Sequence, residues 1–352
     1  MKSLRKFLKD LKKTYIWKFF IQYFFYPFYN FFWQFFLNFK AKILYILWST
    51  KKRDFVNLSN LSKRNTVVIT DNETFKDLSK KILNEGNLLI ENGKKKILSA
   101  EYKKERSDEI GLYSSDAEIP YRASLYDDLS DNLKSEIVKF ASSEMMISTA
   151  AKHMGIFPIL TRVQVTLNIP RQNANIRGAM YWHRDTFGFK NLEFFMAVTD
   201  IDDENGPFHY LEKKINASTF LTFQNLVSTT KKGERGKVSL EEFSKHFKDN
   251  ETLKFSGKSG TAIFIDTFST YHRGGFCKSK DRVIFRLCYQ SHDAFYESQL
   301  SDLNTYKYDQ NLKKNEINDI FKKYLFFKKK SKFMEIISGK IVNFYRKLDF
   351  II

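Results

Sequence analysis

From Arg162 to Pro170 the chain reads Arg-Val-Gln-Val-Thr-Leu-Asn-Ile-Pro, a strict alternation. On a strand it places Val163, Val165, Leu167 and Ile169 on one face and Gln164, Thr166 and Asn168 on the other. Such a strand belongs in an antiparallel sheet with one dry side and one polar side. Other β-rich runs are Thr66-Val-Val-Ile-Thr, Leu192 to Thr199, the apolar run after Gly260, and Asp281 to Arg286. The middle of the chain is therefore sheet-rich, with a turn at Asn205-Gly206-Pro207.

Just beyond the alternating run stands Tyr181-Trp182-His183-Arg184-Asp185. Two residues apart on extended backbone, His183 and Asp185 project to the same side, as two ligands of one metal must, while Trp182 and Arg184 point the other way. Two ligands do not close a site. Downstream, the run Gly260-Thr-Ala-Ile-Phe-Ile-Asp-Thr-Phe-Ser-Thr-Tyr-His272-Arg-Gly-Gly supplies a further histidine, and Asp281-Arg282-Val-Ile-Phe-Arg286 follows. Two histidines and a carboxylate with open positions form the facial triad of non-haem Fe(II) oxygenases.

Taken in order, these residues resemble the phytanoyl-CoA dioxygenase family of Fe(II)/2-oxoglutarate oxygenases, from about Leu160 to His292. The resemblance implies a mostly β fold with flanking helices, a double-stranded β-helix or cupin-like jelly roll with iron at its mouth. It implies His183, Asp185 and His272 as metal ligands and Arg282 as the clamp on the far carboxylate of 2-oxoglutarate, a task suited to a planar guanidinium fork. Arg286, four residues on and on the same face, is a second candidate for an anion: the other carboxylate of the cosubstrate, or an acidic substrate group. A solvent cation at a strand edge, or an ion pair with Asp281, is the other reading of Arg282. Where the family commonly continues into Pro-Gly-Ser-His, this chain has Glu212-Lys213-Lys214-Ile215, so no substrate role is carried over from that loop. Halogenating relatives carry a small residue at the carboxylate position; the presence of Asp185 implies hydroxylation or a related oxidation. O2 would be consumed and 2-oxoglutarate converted to succinate and CO2, with a small-molecule or lipid-like substrate. A binding or scaffold protein that keeps the fold without turnover is the rival. His153, His209, His246 and His292 are expected to cap, pack or sit in solvent.

The net charge of +19 is uneven. Residues 1–53 carry twelve Lys or Arg and one acid, residues 313–352 carry eleven and four, and the middle is close to neutral. A nucleic-acid binder more often puts its basic surface on the recognition fold. Cationic ends flanking apolar segments suit an anionic membrane surface better. From Phe19 to Phe39 there are 21 uncharged residues, ten of them Phe. The length would span a bilayer. However, Gln22, Asn30, Gln34 and Asn38 recur along one side, Pro27 interrupts, and aromatic residues favour the interface. An in-plane amphipathic helix or helix–kink–helix is the preferred reading, with packing on the protein's own core as the alternative. The two cysteines, Cys277 and Cys288, fit a reducing compartment. The expectation is thus a cytoplasmic enzyme peripheral to a membrane.

This divides the chain into a basic aromatic helical segment (1–53), an oxygenase domain (66–300) and a basic amphipathic helical tail (313–352). An Asn/Ser-rich linker follows Lys51. Helical spacing marks Asn72–Asn84 and Asp131 to about Met146; Ser239-Leu-Glu-Glu242 is a capping box within an insert; the polar stretch Ser99–Asp128 reads as a loop over the site.

Overall fold

The computed structural model describes residues 39–50, 65–99, 122–170, 178–185, 190–212, 237–248, 251–291 and 319–326. The aromatic run before Phe39, the linker, and most of the basic tail lie outside them. No helix among the described residues is long and apolar enough to cross a membrane.

Among the described residues, nine strands form two antiparallel sheets: β1 (Thr66–Ile69), β2 (Arg122–Ser124), β3 (Ile159–Asn168), β4 (Asn191–Ala197), β5 (Phe208–Leu211), β6 (Thr252–Phe255), β7 (Ala262–Ile265), β8 (His272–Arg273) and β9 (Arg282–Gln290). The large sheet runs β1-β7-β4-β9-β3-β2 and the small one β6-β5-β8. In the large sheet the two-residue period sorts side chains cleanly. Val163, Val165, Leu167, Phe194, Met196, Phe264, Val283, Phe285 and Leu287 share one buried cluster with the helices. Ile263, Ile265 and Ala197, on the opposite face, join Tyr210 and Phe255 of the small sheet in another. The molecule is therefore layered: helices, large sheet, small sheet.

The helices are α1 (Phe39–Ser49), α2 (Glu73–Leu98), α3 (Asp131–Ala141), α4 (Glu144–Met154), α5 (Leu240–Ser244) and α6 (Asp319–Leu325). Asn72 caps α2 by accepting from the Phe75 amide, as the spacing suggests, and the helix runs on to Leu98, well past Asn84. The expected single helix from Asp131 is two, because Ser142 and Ser143 break it and Ser143 Oγ accepts from the Met146 amide to start α4. The stretch read as a loop up to Asp128 contains β2, which pairs Ala123 with Leu167 and so completes the large sheet's edge. Phe75 and Phe140 meet Phe194 at ring-centroid separations of 5.2 and 5.7 Å, fixing α2 and α3 on the sheet. Trp48 of α1 packs on Phe157 and Phe321 and donates to Ser148 Oγ at 2.9 Å, which docks α1 and α6 on α4.

Candidate metal centre

Residues 182–183 form isolated bridges rather than a long strand. His183 and His272 exchange both backbone hydrogen bonds at 2.9 Å, which adds the segment to the small sheet beside β8. Trp182 then faces outward and stacks on Phe243 of α5 at 4.0 Å, while His183 and His272 face the large sheet. The turn after β7 completes the frame. Asp185 donates its amide to Thr267 O at 3.0 Å, Asn191 of β4 holds that turn through Thr267 Oγ1 at 2.8 Å and the Phe268 amide at 3.1 Å, and His153 reaches Asp266 at 3.1 Å. At the other end of β8, Gly206 (φ +70°) and Gly275 let two loops touch backbone to backbone; a Cβ on either would lie 2.1 Å from a carbonyl oxygen.

The result is one cluster: His183, Asp185 and His272 offer ligand atoms all within 4.8 Å of one another. Each histidine Nε2 lies 3.8 Å from an Asp185 oxygen, too far for a hydrogen bond and close enough to share an ion. Both Nδ1 atoms sit on backbone carbonyls two residues back, Tyr181 O at 2.8 Å and Thr270 O at 3.0 Å. A carbonyl only accepts, so Nδ1 carries the proton and Nε2 turns its lone pair inward, the state a metal requires. Burial, aided by His272, pushes the His183 pKa down to about 3, which keeps the ring neutral. Burial works against the Asp185 carboxylate, but its electrostatic surroundings, the two imidazoles first and then the cations Arg286 and Arg162, hold its pKa below the usual range. Two imidazoles and one carboxylate are a fitting donor set for a divalent first-row metal.

Arg282 opens β9 opposite Asn168, and Arg286 stands on the same face opposite Gln164 and Phe195. The polar residues of β3 therefore border both arginines. Asp281 gives its carboxylate to Lys94 at 2.7 Å. The guanidinium of Arg286 makes a two-pronged ion pair with Glu193, a fully buried acid, and its Nη2 lies 3.8 Å from Asp185. Glu193 is the residue that sequence reasoning missed. Its signal was a lone acid inside the apolar run Leu192–Ala197. A small apolar cavity lined by Ile82, Leu89, Val165 and Val283 lies on the helix side of the large sheet and takes no part in the cluster. Cys277 and Cys288 are both free and buried.

No family model matches the chain, and no curated protein matches it. Among solved structures it is similar to EctD from S. alaskensis in its apoform, at 15% identity over 68% of this chain and 80% of that one, with a TM-score of 0.40. It is also similar to EvdO2 from Micromonospora carbonacea var. aurantiaca complexed with 2-oxoglutarate, at 12% identity over 68% and 92%, with a TM-score of 0.35. A third is SnoK, a non-haem alpha-ketoglutarate-dependent carbocyclase from nogalamycin biosynthesis, at 12% identity over 67% and 83%, with a TM-score of 0.37. At these scores the likeness decides nothing about this chain, and the reading below rests on the geometry of its own side chains.

Proposed function

We propose that the chain is an Fe(II)- and 2-oxoglutarate-dependent oxygenase of the phytanoyl-CoA dioxygenase type, its two sheets forming a double-stranded β-helix. The observation that carries this is the convergence of His183, Asp185 and His272 within 4.8 Å, with both imidazoles locked in the metal-binding tautomer. The bound iron would use O2 and 2-oxoglutarate to oxidise a small-molecule or lipid-like substrate, releasing succinate and CO2. The protein's part is to hold three ligands on one side of the ion. Arg282, toward the start of β9, clamps the far carboxylate of the cosubstrate. Arg286, held by Glu193 and facing Asp185, positions the metal carboxylate and carries a charge that the other end of the cosubstrate can meet.

The test is metal binding under anaerobic conditions. Wild-type protein should take up one Fe(II), and His183→Ala, Asp185→Ala and His272→Ala should each lose at least a hundredfold in affinity. Arg282→Ala should keep the iron and weaken 2-oxoglutarate binding tenfold or more, since it removes a two-pronged partner of a carboxylate. Retention of wild-type iron affinity by all three ligand variants would sink the assignment, and turnover lost with iron and cosubstrate both bound would favour a scaffold.

We also propose peripheral attachment to an anionic membrane through the N-terminal segment. In support, α1 turns Ala41, Leu44 and Trp48 inward and leaves Phe39, Ile43, Ile46 and Leu47 between 43% and 54% exposed, directly after the cationic aromatic run. Full-length protein should sediment with vesicles containing anionic lipid and be released by salt. Release by detergent alone, never by salt, would mean that the segment spans the bilayer.

A further inference from the structure

The strand that carries His272 has a second face. Arg273 follows it immediately, so its side chain leaves the small sheet on the side away from the triad, where Trp182 lies. There the register opposes Arg273 directly to His209 of β5, and His209 to Lys254 of β6, a row of three basic side chains across one sheet face. The two permanent cations, Arg273 and Lys254, thus flank an imidazole on one face, an arrangement open to an anion. Lys254 has one: Asp203 at 2.6 Å. Neither Arg273 nor His209 has an acid in contact among the described residues. The guanidinium makes one protein hydrogen bond, from Nη1 to Gly274 O at 3.2 Å, and its Nε is buried without a partner. Its Cζ rests 5.6 Å from the Trp182 ring centroid, and that ring is itself stacked on Phe243.

A half-buried cation without a counter-ion among the described residues is costly, and a cation–π contact returns only part of what the guanidinium loses by leaving water. Burial alone pulls the Arg273 pKa down, to about 10, with no neighbouring carboxylate opposing it. His209 is pushed down to about 4 by burial and then by Arg273, so at neutral pH it meets the fork as an uncharged donor. A fork with free donors, resting over an aromatic ring and flanked by a neutral imidazole, is complementary to an oxyanion.

We propose that Arg273 and His209 form a second ligand site, a receptor for a phosphate-class oxyanion on the outer face of the small sheet, separate from the metal centre. The ligand is free phosphate or the phosphate group of an organic molecule. Because the site uses no metal, its test is independent of the iron reading. Metal-free, full-length protein is dialysed to equilibrium against inorganic phosphate and, in a parallel arm, against glycerol phosphate at constant ionic strength. Saturable binding of one equivalent is expected. It should fall at least tenfold in Arg273→Gln, fall less in Arg273→Lys, and persist in His183→Ala and Arg282→Ala. Binding of the ester but not of inorganic phosphate would assign the site to an organic phosphate; equal binding of both would assign it to the phosphate group itself. Absence of saturable binding by the wild type in both arms overturns the proposal whatever the variants do. Undiminished binding in Arg273→Gln, or equal loss in Arg282→Ala, also overturns it. Should Arg273→Gln fail to fold, His209→Ala replaces it, with the same tenfold loss expected.

Discussion

The two faces of the large sheet are built from the same strands and obey opposite rules. Toward the helices, β3, β4 and β9 present aliphatic and aromatic side chains, with Phe194 tilted against Phe264 and edge-to-face with Phe285. One residue along each strand, the inner face presents Arg162, Gln164, Glu193 and Arg286. Stability is concentrated on the first face and chemistry on the second. What divides them is the pleat, which lets neighbouring residues face media of different polarity.

Glu193 and Phe194 put that division to the sharpest test, being adjacent and oppositely directed. Phe194→Ala should cost about 3–5 kcal/mol of unfolding free energy through the cavity it leaves. Glu193→Leu should also destabilise, by about 2–4 kcal/mol, for a different reason: half-buried Arg286 loses its two-pronged partner and keeps only Asp185, 3.8 Å away. The two are separated by repair. Adding Arg286→Leu to Glu193→Leu should recover most of the loss in urea denaturation, whereas it should add its own cost to Phe194→Ala. If the Glu193/Arg286 double variant is no more stable than either single variant, the charge of Arg286 is needed by Asp185 as much as by Glu193.

A smaller effect sharpens the same contrast. Val165 is fully buried against the helices, and Thr166 beside it is half-buried on the inner face. Val165→Thr should cost about 1–3 kcal/mol by sinking a hydroxyl into the dry layer. The reciprocal Thr166→Val should stay within about 0.5 kcal/mol. Equal costs for the two swaps would show that the inner face is as dry as the outer.

Much of this division was legible in the chain itself. Period-two alternation in Arg162–Pro170 told which residues of β3 face together, and the same rule put His183 and Asp185 on one side with Trp182 on the other. The cap at Ser239 was readable because a helix start is a local contest for a few backbone donors, and apolar spacing alone placed a helix start near Asn72. Where local signals competed, the reading slipped. Ser142 and Ser143 sit in a run of good helix formers, and only the packing of α3 and α4 reveals that one of them starts a new helix. Within the polar stretch before Asp128, β2 has too few apolar residues to announce a strand; its pairing with β3 makes it one.

What the sequence determined by itself was therefore periodic and local: strand faces, helix starts, and a histidine–carboxylate pair at the spacing of a shared ligand face. Tertiary structure decided what depends on residues far apart in the chain. It set His272 against His183, and it gave Arg286 to Glu193 from another strand. It also half-buried Arg273 on the far side of the strand that carries His272. An alternation pattern says that two side chains share a face, but pairing, burial and counter-charge come from strand order and register, which no local stretch encodes.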